Sequence, residues 1–273
     1  MKRILVLLTL VLAAALPAAG QGIVGATVNG NSVSVTISLP GGLGADVTLG
    51  FEEVTNLSLQ NLGLSAQLAN PLDLTFLSRF PRGTLLALPV ILRIEPPPAG
   101  GLSFKGVAGL EIHTSNLEFT LGTPLRLFSA PLDGRFEDIT AGIGAGSYRA
   151  RGTMGGFSEF VIVLDLRAVN QVITGKFDRL EDLLEAYEGA MPGSVYDDLE
   201  TRLAAARADF ESGATLGAIQ KIDGFLAVVE QHSGTDIPDV WRSARDLVNM
   251  AGYLRAGATT LRFSLELKRA GGL

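Results

Sequence analysis

Apolar and polar residues alternate strictly from Ser32 to Leu39. Val33, Val35, Ile37 and Leu39 fall on one side, Ser32, Ser34, Thr36 and Ser38 on the other. A period of two is the pattern of a strand with one buried face. Asn29-Gly30 just ahead is a hairpin turn signal. Asp46 to Phe51 predicts a second strand, and Leu57, Leu59, Leu62, Leu64 and Leu68 predict further extended pieces broken by turns. Leu85 to Glu95 is interrupted by Pro89, which suits an edge or a bulge because proline cannot donate to a ladder. Pro96-Pro97-Pro98 with Gly100-Gly101 marks a surface corner. Leu102 to Phe104, Leu110 to His113, Leu117 to Leu121, Leu125 to Phe128, Ser147 to Gly152 and Phe157 to Leu166 are further short strands by pattern. Many short strands with glycine and proline turns, and no helical run, predict an N-terminal all-β sandwich over residues 21–167.

Near Ala168 the period changes to 3.6. Val169, Val172 or Ile173, Phe177, Leu180, Leu184 and Tyr187 form one helical stripe that ends at Gly189. Three more stripes follow: Val195 to Phe210, Leu216 to Val229, and Trp241 to Leu254. Ser194, with Asp197 at capping-box spacing, and Thr215 are candidate N-caps. Pro238 suits a first turn, and Gly213, Gly234 and Gly257 suit helix ends. Loops this short make neighbouring helices antiparallel. A small antiparallel helical bundle is therefore predicted over 168–258. After Gly257 strict alternation returns. Leu261, Phe263, Leu265 and Leu267 oppose Arg262, Ser264, Glu266 and Lys268, which predicts a C-terminal strand over 259–273. A lone strand must pair with something, either the β domain or a second molecule. The expected fold class is α+β with two domains, packed together because no flexible linker separates them.

Some stretches resemble known families. Leu199, Leu203, Phe210, Gly213, Ala218, Ile222, Phe225-Leu226, Val229, Gly234, Ile237, Ala244, Leu247 and Ala251 resemble the FIMAH module, with Asp223-Gly224 and Trp241 as departures. That resemblance implies a non-catalytic helical accessory of bacterial secreted and surface proteins. Gly155-Gly156-Phe157-Ser158-Glu159-Phe160-Val161-Ile162-Val163 resembles the last strand of Ig-like sandwiches in bacterial surface proteins, and implies an Ig-like N-terminal domain. The whole chain resembles an uncharacterised exported bacterial family.

The first residues carry a targeting pattern. Lys2 and Arg3 precede an apolar run from Ile4 to Leu16, then Pro17-Ala18-Ala19-Gly20. The run is too short to span a bilayer and reads as a signal peptide over 1–20, with cleavage before Gln21. The chain contains no cysteine, which rules out a disulfide or a lipid-modified cysteine, so the core alone must hold the fold. The protein is thus expected to be exported, to a periplasmic or extracellular place. Loss of Lys2 and Arg3 takes the formal charge from −6 to about −8, and a balance this acidic argues against nucleic acid and anionic membrane as partners.

Candidate chemistry is sparse. No Gly-x-Ser-x-Gly elbow occurs, and Gly142-x-Gly144-x-Gly146 lacks the lysine and the following helix of a phosphate loop. His113 and His232 stand apart, unlike clustered metal ligands. Asp133, Glu137 and Asp138 form the densest acidic turn and are candidate calcium ligands, though without the regular acid spacing of a calcium loop. Glu111, Glu118, Glu137 and Asp165 are the carboxylates from which a glycosidase pair would be drawn. Glu181, Glu185 and Glu188 share one helix face and offer a surface to a basic partner. Phe225 and Trp241 fit either helix core or a recognition groove. Taken together, no catalytic, cofactor or metal residue is assigned. The expected function is that of an exported non-enzymatic binding or envelope-structural protein, its partner a protein or glycan of the envelope, as a monomer or strand-exchanged dimer. The alternative is a secreted hydrolase or carbohydrate-active protein with its site in the β-domain loops. A deep pocket with converging carboxylates favours the enzyme, and shallow grooves favour the binder.

Overall fold

In the computed structural model residues 22–271 are described. The first half is built of strands: β1 (Ile23–Asn29), β2 (Ser32–Leu39), β3 (Leu43–Thr55), β4 (Leu64–Leu68), β5 (Thr84–Ile94), β6 (Ser103–Glu118), β7 (Leu125–Ala130), β8 (Glu137–Asp138), β9 (Thr140–Gly144), β10 (Ser147–Met154) and β11 (Glu159–Asp165). Two single-turn helices, α1 (Leu59–Leu62) and α2 (Leu74–Leu77), interrupt them. Then come α3 (Val169–Ala186), α4 (Gly193–Glu211), α5 (Thr215–His232), a short β12 (Val240–Arg242) and α6 (Met250–Arg269). The architecture is α+β, and the strands pair antiparallel in two sheets. The larger sheet runs β1-β2-β3-β6-β10-β9, with β12 added beside β6; the smaller runs β4-β5-β11-β7-β8.

The alternation in β2 does what the pattern asks. Val33, Val35, Ile37 and Leu39 are buried while Ser34, Thr36 and Ser38 between them are exposed. They join Val47 and Leu49 of β3, Leu110 of β6, and Leu92, Phe160 and Ile162 of the smaller sheet in one hydrophobic cluster. β11 is buried almost throughout because its other face, with Val161 and Val163, meets Phe76, Phe128 and Phe136 under α2. Phe80 stacks flat on Phe136 at 4.3 Å, and the Arg79 guanidinium lies 4.5 Å above the Phe136 ring. Pro89 falls in the middle of β5, where the pairing with β11 slips, so it marks a bulge in an inner strand.

The helices form their own cluster. Ile173, Phe177, Leu180 and Leu184 of α3 recur at helical spacing and meet Leu199 and Leu203 of α4, Ile222 and Phe225 of α5, and Leu254 and Leu261 of α6. Neither expected cap is used. α4 begins after Pro192, and α5 after Ala214, without a side-chain cap.

Two expectations fail at the C-terminal end. The predicted strand over 259–273 is helix: α6 runs to Arg269. Ala251, Leu254, Ala258, Leu261 and Leu265 are all fully buried and lie three or four apart, a stripe that a helix buries and a strand would scatter over both faces. The alternation was misleading because Leu261 and Leu265, four apart, satisfy both periods. The predicted third helix does not start at Trp241; only the end of its stripe, Ala251 and Leu254, is helical, in the first turns of α6. Val240–Arg242 is instead β12, paired with Ser103–Lys105 of β6. The C-terminal segment does lie against the sheets, but through a three-residue strand and a helix.

One set of contacts across that junction centres on Gly106. β6 pairs with β10 from Ala108 upward and with β12 from Lys105 downward. Gly106 lies between, at φ +68°, a conformation that glycine adopts without strain. Its N–H donates to the Asp239 carbonyl (3.0 Å) and its carbonyl accepts from Asn249 Nδ2 (2.6 Å). Asn249 Oδ1 in turn caps α6 by accepting from the Gly252 N–H (2.8 Å). The Glu52 carboxylate beside Gly106 takes both terminal nitrogens of Arg255 at 2.8 Å. Burial alone would raise the Glu52 pKa, but Arg255 and the Val107 N–H outweigh it and hold the carboxyl below its usual range.

Candidate functional site

The cavity where the sheets meet α3 and α6 has a volume of about 160 Å³. Its walls come from four places in the chain: the β7–β8 connection, the β10–β11 turn, the inner face of α3, and the first turns of α6. Met154, Phe157, Leu180, Leu183 and the Tyr253 ring supply the apolar surface. The turn reaches so close to α6 only because two glycines form it. A Cβ on Gly155 would stand 2.5 Å from the Tyr253 backbone nitrogen, and one on Gly156 would overlap the Tyr253 hydroxyl.

Two ion pairs bound the cleft. Asp138 and Lys176 close its inner end, with Nζ to Oδ2 at 2.7 Å and side chains 3% and 8% exposed. Lys176 Nζ also donates to Thr260 Oγ1 (2.7 Å) and Ser264 Oγ (2.9 Å), and Asp138 Oδ1 accepts from the Thr140 N–H (2.8 Å). Burial works against the charge on both. In Asp138 it is outweighed by Lys176 and the Thr140 bonds, which hold the carboxyl below its usual range. In Lys176 burial prevails over the pull of Asp138, and the ammonium sits below the usual lysine range. At the mouth, Glu137 pairs with Arg179. There burial is the larger effect and Arg179 the smaller, so the Glu137 carboxyl is raised above its ordinary value. Burial likewise raises the Tyr253 hydroxyl.

Thr153, Ser129 and Ser158 border the cleft. The Thr153 Oγ1 atom is itself shut off from solvent and has no hydrogen-bond partner among the described residues.

The acidic turn is dispersed rather than assembled. Asp133 is an exposed corner at φ +58°, while Glu137 and Asp138 each face a cation. Among the described residues no group of three or more histidine or acidic side chains is placed to hold a metal ion. The other carboxylates considered for glycoside chemistry are also engaged or apart. Glu111 pairs with Arg149 and Arg151 on the larger sheet, Asp165 is held by Arg167 through two bonds of 2.8 and 2.6 Å, and Glu118 is exposed at the end of β6. His113 lies opposite Asp46 across β3 and β6, but Asp46 accepts its bond from Thr36 Oγ1 (3.0 Å). His232 Nδ1 lies 2.6 Å from Asp236 Oδ2 at the end of α5. The glycines at 142, 144 and 146 form β9 and its hairpin turn into β10.

Glu181 and Glu185 of α3 and Glu188, which lies in a turn past the end of α3, line an open groove of about 370 Å³ together with Glu200 and Tyr196 of α4. Glu181 is already held by Arg207 at 2.7 and 2.8 Å. Phe225 and Trp241 are not part of any exposed surface. Phe225 is fully buried among the helices, and Trp241 packs in the sheet cluster 4.9 Å from Phe157 and 5.5 Å from Phe104. Trp241 is therefore moved from helix to strand, where its ring fills the end of the sheet core. The cleft residues that the sequence did not single out are Thr153, Lys176, Arg179 and Tyr253. The paired glycines at 155 and 156 were the one local signal of a close approach.

The fold and the cleft define the class: an α+β protein of antiparallel sheets with a helical cap and a small cavity between them. The chain belongs to the family of unknown function DUF6689, whose model matches residues 7–269. That match runs through sheets and helices alike and gives no support to the resemblance of the helical stretch to FIMAH. No curated protein matches the chain.

Proposed function

We propose that the protein is an exported, non-enzymatic binding protein of the cell envelope that holds a small ligand in the cleft between the sheets and α3/α6. The observation that carries this reading is the pairing of both cleft carboxylates, Asp138 with Lys176 and Glu137 with Arg179. An acid–base or nucleophilic mechanism needs a free proton acceptor in reach of substrate. Here each acid is neutralised by a cation of the chain itself, within a mostly apolar wall. The two sheets, joined through one core, are read as an Ig-like sandwich and the helices, with a core of their own, as a second domain. The pattern of Lys2 to Gly20 supports export.

The test is titration of the ¹⁵N-labelled mature protein with the low-molecular-weight fraction of the envelope, followed by amide NMR. Shifts centred on Thr153–Ser158, Glu137 and Tyr253 are expected. Shifts confined to other surfaces would refute the site. Turnover of chromogenic glycosides or esters that Glu137→Gln abolishes would refute the non-enzymatic reading. Intact mass of the exported protein starting at Gln21 tests the leader.

A further inference from the structure

Ser264, which accepts from Lys176 at 2.9 Å, also borders a second and smaller cavity, of about 20 Å³. It lies between Arg126 and Asp165 of the smaller sheet, Val169 and Val172 at the start of α3, and Leu267 of α6. We infer that this cavity binds one monatomic anion of halide size, chloride in an ordinary salt medium, with Arg126 as its anchor. The site is separate from the ligand cleft and goes beyond that reading.

Three cations and two carboxylates meet around this point. Lys176 lies within the field of Asp138, Asp165 and Arg126. Asp138 is taken up by Lys176, and Asp165 by Arg167, which bonds its two oxygens at 2.8 and 2.6 Å. Arg126 is left over. It is 6% exposed and forms no ion pair among the described residues. Its Nη1 donates to the Thr123 and Leu125 carbonyls, at 2.7 Å each. Nε and Nη2 have no partner among the described residues, and neither is one of the polar atoms closed off from solvent. The guanidinium thus keeps two donors that a small anion can reach, on a side chain that borders the cavity. A charge this deep without a counter-charge is costly, and an anion at those donors cancels it. The start of α3 acts in the same sense. Ala168 gives it no side-chain cap, its first turn holds no acid, and the first turn of an 18-residue helix carries partial positive charge.

Volume sets the kind of anion. About 10–15 Å³ admits one water, so about 20 Å³ admits one sphere of that order and not the several heavy atoms of acetate, phosphate or sulfate. A water in the same place would leave the charge of Arg126 uncancelled.

The experiment uses the full mature chain as wild type, Arg126→Gln, Arg126→Lys and, as a control at an exposed surface pair, Arg202→Gln. Melting temperatures are compared in sodium chloride and in sodium gluconate at one ionic strength, so that screening is equal. The ³⁵Cl line width reads binding directly. For wild type a saturable rise of the melting temperature with chloride is expected, together with a broadened ³⁵Cl line that bromide reverses. Arg202→Gln should behave in the same way. Arg126→Gln should melt alike in both salts and leave the line narrow. Arg126→Lys keeps the charge but loses the planar fork, so chloride should bind it about tenfold more weakly; this variant carries the test if the glutamine variant does not fold. Equal wild-type melts in the two salts with a narrow line would mean that water alone fills the place, and would overturn the inference. Chloride bound by Arg126→Lys as tightly as by wild type, or acetate bound more tightly than chloride, would overturn it too. None of these results bears on the cleft between the sheets and α3/α6, which its own titration decides.

Discussion

Breaking the Asp138–Lys176 pair from one side should be among the most damaging changes to this fold. In Asp138→Asn the ammonium keeps its hydroxyl partners Thr260 and Ser264 but loses its counter-charge in a site where it is only 8% exposed. Removing one member of a buried pair typically costs about 3–5 kcal/mol. An upper bound follows from titration. The stranded amine can shed its proton, and neutralising a lysine of ordinary pKa about 10.4 at pH 7 costs about 4.6 kcal/mol at 1.36 kcal/mol per unit. A loss of about 3–4 kcal/mol is thus expected, a large share of the 5–15 kcal/mol usual for a domain. Lys176→Met leaves the carboxylate with the Thr140 bonds only and should lose a similar amount. The double variant removes both charges and should recover about 2 kcal/mol relative to the sum of the singles. Urea unfolding reads all three, through a midpoint that moves at constant slope. The sign with pH is fixed by Asp138. Its carboxyl is held below the ordinary 3.8, so its stabilisation is present above that pH and fades as the pH falls through the lower folded value. Wild type should therefore lose stability on acidification below about pH 4 through this group, and Asp138→Asn should lose less over the same interval. Single variants that each cost under about 1 kcal/mol, or a double that equals their sum, would refute the pairing as the organising contact of the junction.

Other outcomes can be stated briefly. Asn249→Ala removes a helix cap and leaves the Gly106 carbonyl unpaired, and should cost about 2–3 kcal/mol in the same urea assay. Gly155→Ala forces a methyl group against the backbone of Tyr253 and should cost about 1–3 kcal/mol, with amide shifts concentrated in the first turns of α6. Phe225→Ala should cost about 3–5 kcal/mol, whereas exposed Glu185→Ala should stay within about 0.5 kcal/mol; equal losses would mean that the helix faces are misassigned.

The larger outlines of the fold were legible because long periodic segments carry their own evidence. β2 alternates over eight residues, and α3 repeats its stripe through Ile173, Phe177, Leu180 and Leu184. β12 was not legible. Three residues hold no period, and Trp241 owes its conformation to its neighbours Phe104 and Phe157, which are distant in sequence. α6 was misread for the opposite reason, since its second half fits two periods and the choice is made by Leu254 and Ala258 upstream. The cleft escaped for a third reason. Its polar groups come from β8, β10, α3 and α6, and nothing in the spacing of Glu137, Thr153, Arg179 and Tyr253 says that they meet. The acids that do cluster in sequence, Asp133, Glu137 and Asp138, are separated by the turn that carries them.

The pairing of β6 with β12 sets an order on folding. The lower end of β6 is made early, but the strand that completes it and the indole that covers Phe104 arrive only after α3, α4 and α5. Until then Ser103–Lys105 has bare amides on one side, and the Asn249 and Arg255 contacts at Gly106 do not exist. Native pairings between such distant segments slow folding, because a long loop must close before they form. A chain emerging N-terminus first can therefore preorganise β2 and β3 as a local hairpin but cannot lock the sheets to the helices until nearly all of it has been delivered. For a protein threaded unfolded through a narrow export channel, as proposed here, that delay keeps the chain loose during transit. It also leaves an aromatic patch uncovered for the same period, so the stretch from Phe104 to Phe157 is where a holding chaperone would be needed most.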